Sequence, residues 1–189
     1  HLVRTMADYD LIMSDEGGYR ALCEAKDQGL ILKIGITAHS ADLLEAVLEH
    51  MPFETLQFPY NLVERQGERL FEKAFKRGID VIVMKPLAGG ALEAYDLSLR
   101  FIQSNPHVTV IIPGMDSVDQ VEKNARAILS NHPLTAEEMA HMEDIVSKLG
   151  STFCRRCGYC LPCPQSIDIP TAFTIEGYLT RYALKDWAT

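Results

Sequence analysis

Between residue 18 and about residue 130 the chain alternates between stretches of helical period and short, continuously apolar runs. GYRALCEAKDQ (Gly18–Gln28) sets Tyr19, Leu22, Cys23 and Lys26 on one helical face, with Gly29 as its stop, and the run Ile31–Thr37 follows. Ser40 then caps a helix with the stripe Leu44, Val47, Leu48 and Met51, ended by Pro52. Thr55–Phe58 reads as a strand, and Glu64–Arg77 as a helix with Leu70, Phe71, Ala74 and Phe75 inward and Gly78 as its stop. Ile79–Met84 is the clearest strand, Ala91–Ser104 a helix broken by Asn105-Pro106, and His107–Ile112 a further strand. Ser117 with Gln120, and Thr135 with Glu138, have capping-box spacing. Apolar runs that do not alternate in polarity belong to strands covered on both faces. The expected class is therefore α/β, a parallel sheet wrapped by helices, with four βα units visible. Periodicity alone leaves open whether the sheet is open or closed into a barrel.

After Leu149-Gly150 the character changes to a loop-rich, cysteine-rich stretch, and a final helix is expected from Pro170 to about Lys185. A boundary near residue 150 divides the chain into a βα portion (1–150) and a small module (151–189). With 18 Lys and Arg against 26 Asp and Glu the net charge is −8, which argues against nucleic acid or an anionic membrane surface as partner. No apolar run has the length of a membrane span, and HLVRTMADYD does not resemble a signal peptide. The first residue is His1 rather than Met, so an N-terminally incomplete chain is expected.

In parallel βα folds the loops at the carboxyl ends of the strands form one rim, where chemistry gathers. Thr37 and His39 stand there after the first strand, and Gln57 and Asn61 after the second. Lys85 follows the third and Pro113-Gly114 with Ser117 the fourth; this last loop opens a helix, whose free N–H groups and dipole suit a phosphate. Polar rim residues are common in any loop, so the weight lies on four such ends taken together.

These segments, IGITAHS, LQFPYN, VMKPLAGG and VIIPGMDSVDQVEKNARAI, resemble in order and spacing the second half of the aldo/keto reductase barrel. The resemblance implies the C-terminal half of a (β/α)8 TIM barrel, strands five to eight. It also implies a nicotinamide cofactor, NAD(P)H, lying across the rim, with hydride exchanged with a carbonyl or alcohol substrate. By resemblance, Thr37 and Gln57 hold the nicotinamide carboxamide, Met84 stands where the family often stacks an aromatic ring, and Pro113, Gly114, Ser117, Gln120 and Asn124 form the adenosine-phosphate segment. Ala38 replaces the family's usual Asn, and Gln120 stands where many NADPH-using members have Arg. Of the family's Asp, Tyr, Lys and His, only the His has a match, at His1 in the end His1-Leu2-Val3. The other three lie on early strands that this sequence lacks. Cys23, on an amphipathic face, reads as core.

Cys154, Cys157, Cys160 and Cys163, followed by Pro164, form C-x2-C-x2-C-x2-C-P. Neighbours three apart are poor disulfide partners, whereas thiolates at this spacing can wrap one face of a cubane cluster. A [4Fe–4S] cluster is the leading expectation, with structural zinc and a redox dithiol as alternatives. The CRRCGYCLPCP tail also resembles the aldo/keto reductase branch that carries an iron–sulfur motif after the barrel. Arg155 and Arg156 would offset the charge of an anionic cluster. Clustered thiols point to a reducing compartment, hence the cytoplasm. The expected function is a nicotinamide-dependent oxidoreductase with one cluster, serving a small carbonyl or alcohol substrate and a possible redox partner. Two alternatives stand beside it: a Schiff-base lyase built on Lys85, and a non-enzymatic iron–sulfur electron-transfer module.

Overall fold

The structure, a computed structural model, describes residues 2–88, 92, 94–149, 154, 160–180 and 185–188. Its centre is a four-stranded, all-parallel sheet of β1 (Gly35–Thr37), β2 (Thr55–Pro59), β3 (Asp80–Met84) and β4 (Val110–Ile112), in the spatial order of the chain. The helices are α1 (Met6–Met13), α2 (Gly18–Asp27), α3 (Ala41–Leu48), α4 (Glu68–Lys76), α5 (Tyr95–Gln103), α6 (Val118–Leu129), α7 (Ala136–Leu149) and α8 (Ile169–Thr180). Leu2 makes a parallel bridge to Thr37, and the Val3 N–H donates to the Thr37 carbonyl at 2.9 Å, so the start of the chain runs beside β1 as a further strand end. Sequential neighbours, all parallel and joined by helices, agree with one arc of a βα barrel.

Register puts the strands in layers. Thr37 pairs with Gln57, Gln57 with Ile82 and Ile82 with Val110, while Pro59, Met84 and Ile112 form the next layer towards the rim. Side chains alternate across a strand. Ile36, Leu56, Phe58, Val81 and Val83 are therefore buried under the helices, while Thr37, Gln57, Ile82 and Met84 line the concave face and stay partly open. The main core joins these five to Leu44, Leu48, Leu70 and Phe71, with Cys23 packed against it as expected. A smaller cluster of Leu62, Val63, Leu92 and Met142 seats α7. Opposite the rim, Lys26 pairs with Glu54 and Lys33 with Asp80, both at 2.5 Å, on the end of a βα sheet that serves stability.

Several elements differ from the sequence expectation, each for a local reason. α1 has no clear apolar stripe, burying only Ile12, yet Thr5 and Asp8 close a capping box at its start. The helix expected from Glu64 begins at Glu68, because Asn61 organises residues 61–64 into a turn. Phe75 is a correction: it is 58% exposed, since the last turn of α4 passes the start of β3, and its ring lies against His107 with centroids 5.1 Å apart. The run Ile31–Thr37 yields only three strand residues, and Leu32 is solvent-facing. β4 is equally short, with Val110 and Ile112 exposed along the sheet edge. No described helix is long and apolar enough to cross a membrane.

Candidate active-site rim

Thr37, the last residue of β1, pairs with Gln57 in the middle of β2, and the two stand side by side on the concave face. The Thr37 hydroxyl oxygen is buried and has no hydrogen-bond partner among the described residues. A β-branched hydroxyl shielded from water normally finds an acceptor or donor, so this one is arranged for a group the folded chain does not itself supply. The Gln57 amide nitrogen lies 3.5 Å from Met84 Sδ, a soft contact much weaker than an amide–carbonyl bond. Thr37, Gln57 and Met84 thus form one polar-to-thioether strip across three strands. The structure brings these three expected residues together.

Asn61, by contrast, is a structural clamp. Fully buried, it accepts from the Val63 and Glu64 N–H groups at 2.9 Å, and its amide donates to Glu64 Oε2 at 3.0 Å and to the Lys85 carbonyl at 3.1 Å. It fastens the loop after β2 to the end of β3. Lys85 leaves β3 with φ of 54°, a left-handed turn that redirects the backbone at the rim.

Tyr60 follows β2 but points outward. It is buried between Phe71 and Phe101, its hydroxyl donates to Glu68 Oε1 at 2.8 Å, and burial pushes its pKa well above the ordinary phenol range. A phenol so placed cannot protonate a substrate on the concave face. Tyr95 opens α5 on the helical layer. Among the described residues, then, the rim holds no tyrosine acid.

Pro113 and Gly114 lead into α6, where the Ser117 hydroxyl accepts from the Gln120 N–H at 3.3 Å. The return bond runs from the Asp116 N–H to Gln120 Oε1 at 2.9 Å, one residue upstream of a strict capping box. Gln120 is exposed and Asn124 buried on the same helix. A Cβ at Gly114 would meet nothing within 4 Å, so packing does not demand glycine there. What the loop offers is a helix start at the level of the strand ends, with backbone N–H groups suited to an anion.

His1 and Cys157 lie outside the described residues. Of the other three cysteines of the run, Cys160 is exposed and Cys154 and Cys163 are half-buried. Among the described residues no three His, Cys, Asp or Glu side chains gather as a metal-holding group.

A cleft of about 1090 Å³ opens beside this rim, where residues 2–6, the loop after β1 and the tail segment meet. Nothing in the sequence marked it, because its walls are more than a hundred residues apart; Leu161 and Pro162, read only as spacers between cysteines, form part of it.

Comparison with known proteins agrees with this geometry. Residues 5–97 match the aldo/keto reductase family. An uncharacterised oxidoreductase of Schizosaccharomyces pombe is 25% identical over 142 residues, covering 67% of this chain and 46% of that protein. An aldo-keto reductase of Bacillus halodurans, in its holo and apo forms, superposes with a TM-score of 0.57 at 23% identity over 66% of this chain and 54% of its own. A glycerol dehydrogenase of Gluconobacter oxydans gives a TM-score of 0.54 at 18% identity, over 71% of this chain and 55% of its own. The chain therefore spans about half the length of the relatives it matches.

Proposed function

We propose for this chain, whose residues 5–97 match the aldo/keto reductase family, the role of the nicotinamide-side half of an NAD(P)H-dependent oxidoreductase acting on a small carbonyl or alcohol. The observation that carries the reading is the buried, unpartnered Thr37 hydroxyl beside Gln57 on the concave face. When bound, the cofactor supplies or accepts the hydride at the carbonyl carbon. The chain's own residues bind and orient. Thr37 and Gln57 would hold the nicotinamide carboxamide, Met84 would pack on its ring, and the loop Pro113–Ser117 with Gln120 and Asn124 would hold the adenosine-phosphate end. Met84 gives less area and less orientation there than an aromatic ring would. His1, if present at the rim, orients a carbonyl oxygen and does not replace a proton donor.

Two features support an incomplete machine. The only tyrosine that follows a described strand directly, Tyr60, is turned away from the concave face. The sheet also ends in an exposed edge at β4. A hydride step requires a proton at the substrate oxygen, so the acid comes from the complementary half. Residues 151–189 form, in this proposal, a separate module whose Cys154, Cys157, Cys160 and Cys163 hold one [4Fe–4S] cluster. The support is the ligand spacing and the thiol chemistry of the run. The cluster serves as a structural element or meets a redox partner, and clustered cysteines of this kind suit the reducing cytoplasm.

The test is complementation. The 189-residue chain alone should show no aldehyde-dependent oxidation of NADH or NADPH. Co-expression with the N-terminal half of a related barrel should restore it, and Thr37→Val with Gln57→Leu should remove it again. Turnover by the chain alone, or restored turnover indifferent to both substitutions, would overturn the proposal.

A further inference from the structure

The cleft beside the rim has a composition that selects a ligand class. Its apolar walls include Leu2, Met6, Leu43, Leu161 and Pro162. At about 1090 Å³ it reaches the upper end of the range of small-molecule sites. Its charged lining is sparse: Arg4 on one side and Asp42 on another, with His39 and Ser40 between them in sequence.

Arg4 is the one cation among the described residues that line the cleft. In this acidic chain most described Lys and Arg side chains, for example Lys26, Lys33, Arg77 and Arg100, meet a carboxylate within 4 Å. The Arg4 guanidinium forms no ion pair within 4 Å among the described residues, although, after the Arg4 backbone N–H, its charge helps to hold the Asp8 carboxyl below its ordinary range. Its neighbour Asp8 is already committed: one carboxylate oxygen accepts the Arg4 and Thr5 N–H groups at 2.9 and 3.0 Å, closing the start of α1. The Arg4 backbone is thereby fixed where the residue lines the cleft, and its side chain is exposed. The opposite wall is fixed as well, since Asp168 caps α8 by accepting from the Thr171 N–H and hydroxyl, at 3.2 and 2.8 Å, and so seats Pro170 in the lining.

We propose that this cleft binds an amphipathic organic anion, its carboxylate on the Arg4 guanidinium and its apolar body along Leu2, Met6, Leu43 and Leu161. A guanidinium presents paired donors that match a carboxylate, and the apolar walls reward an attached chain or ring rather than a bare ion. Asp42 opposes the anion and limits affinity. The site lies beside the rim, with Leu2 the bridge partner of Thr37, but its ligand does not depend on a nicotinamide being bound.

Calorimetric titration of the 189-residue chain with octanoate, and with octanol as the uncharged match, tests this directly. Octanoate should bind saturably at one per chain and more tightly than octanol. Arg4→Gln should weaken octanoate roughly five- to tenfold and leave octanol unchanged, while Arg4→Lys keeps most of the affinity. Asp42→Asn should tighten octanoate about two- to threefold, and Leu161→Asp should abolish it. The Arg4 side chain makes no capping contact, so an unchanged circular dichroism spectrum is expected for its variants. Non-saturating uptake, equal binding by Arg4→Gln and the parent chain, or indifference to Leu161→Asp would overturn the assignment. Octanoate binding is measured without cofactor or turnover, so its failure is distinct from failure of the oxidoreductase reading.

Discussion

Replacing Thr37 by valine should make the chain more stable and the assembled enzyme worse. The threonine hydroxyl is buried without a partner, a desolvation cost of about 1–3 kcal/mol for a group of this kind. Valine keeps the β-branched shape and the β-propensity of the strand and removes the unsatisfied oxygen. The unfolded chain also contributes to the difference, so a net gain of about 1 kcal/mol, the low end of that range, is expected. For a domain of this size that is a rise of about 2–4 °C in Tm. With a urea m-value of about 2 kcal/mol/M it is a midpoint shift of about 0.5 M. The same oxygen, given a carboxamide to bond, is worth about 0.5–1.5 kcal/mol, so nicotinamide affinity in the complemented barrel should fall about two- to tenfold. Urea denaturation followed by circular dichroism measures the first effect and fluorescence titration with NADH the second. If Thr37→Val destabilises the chain by more than about 0.5 kcal/mol, the hydroxyl has a partner in solution and the reasoning from its isolation fails.

Glu138, held at about pKa 2 chiefly by the Arg100 guanidinium, gives pH-dependent stability that is present above its ordinary value of 4.5 and lost as pH falls towards 2; Glu138→Gln should flatten that part of the acid unfolding curve, and raised salt should shrink it. Phe71→Ala empties a fully buried position between Phe58 and Tyr60 and should cost about 3–5 kcal/mol by urea denaturation. In the complemented barrel NADH should bind at least as well as NADPH, because Gln120 supplies no charge for a 2′-phosphate; a tenfold or greater preference for NADPH by titration would assign that role to another residue. Anaerobically prepared protein should carry about four irons and four sulfides per chain and lose its colour with Cys160→Ser, and stoichiometric zinc without sulfide would reject the cluster.

The βα order, the parallel sheet and the four rim ends were legible because each rests on a local signal. Ser40, Ser117 and Thr135 cap their helices as their spacing implies. Elements that depend on tertiary position were not. α1 carries no amphipathic stripe, and Phe75 has the right spacing for the core but sits past the sheet. At the site, chemistry alone does not separate Gln57, which faces the concave side, from Asn61, which ties two loops together; strand register does. The cleft with Arg4 joins residues 2–6 to residues 161–170, a proximity that no local pattern encodes.

The exposed edge at β4 changes what kind of quantity the fold's stability is. Val110 and Ile112 on β4, and Val118 and Val121 on α6, present exposed apolar surface, and among the described residues β4 pairs with β3 alone. A closed barrel meets that demand within one molecule, where the joining segment is always at hand. A strand paired onto β4 would act on the fold as a ligand does, and the stability of the sheet would rise with the strength of that pairing. Thr37 and Gln57, on β1 and β2 of the same sheet, would then report on the occupancy of that edge as well as on their own fold.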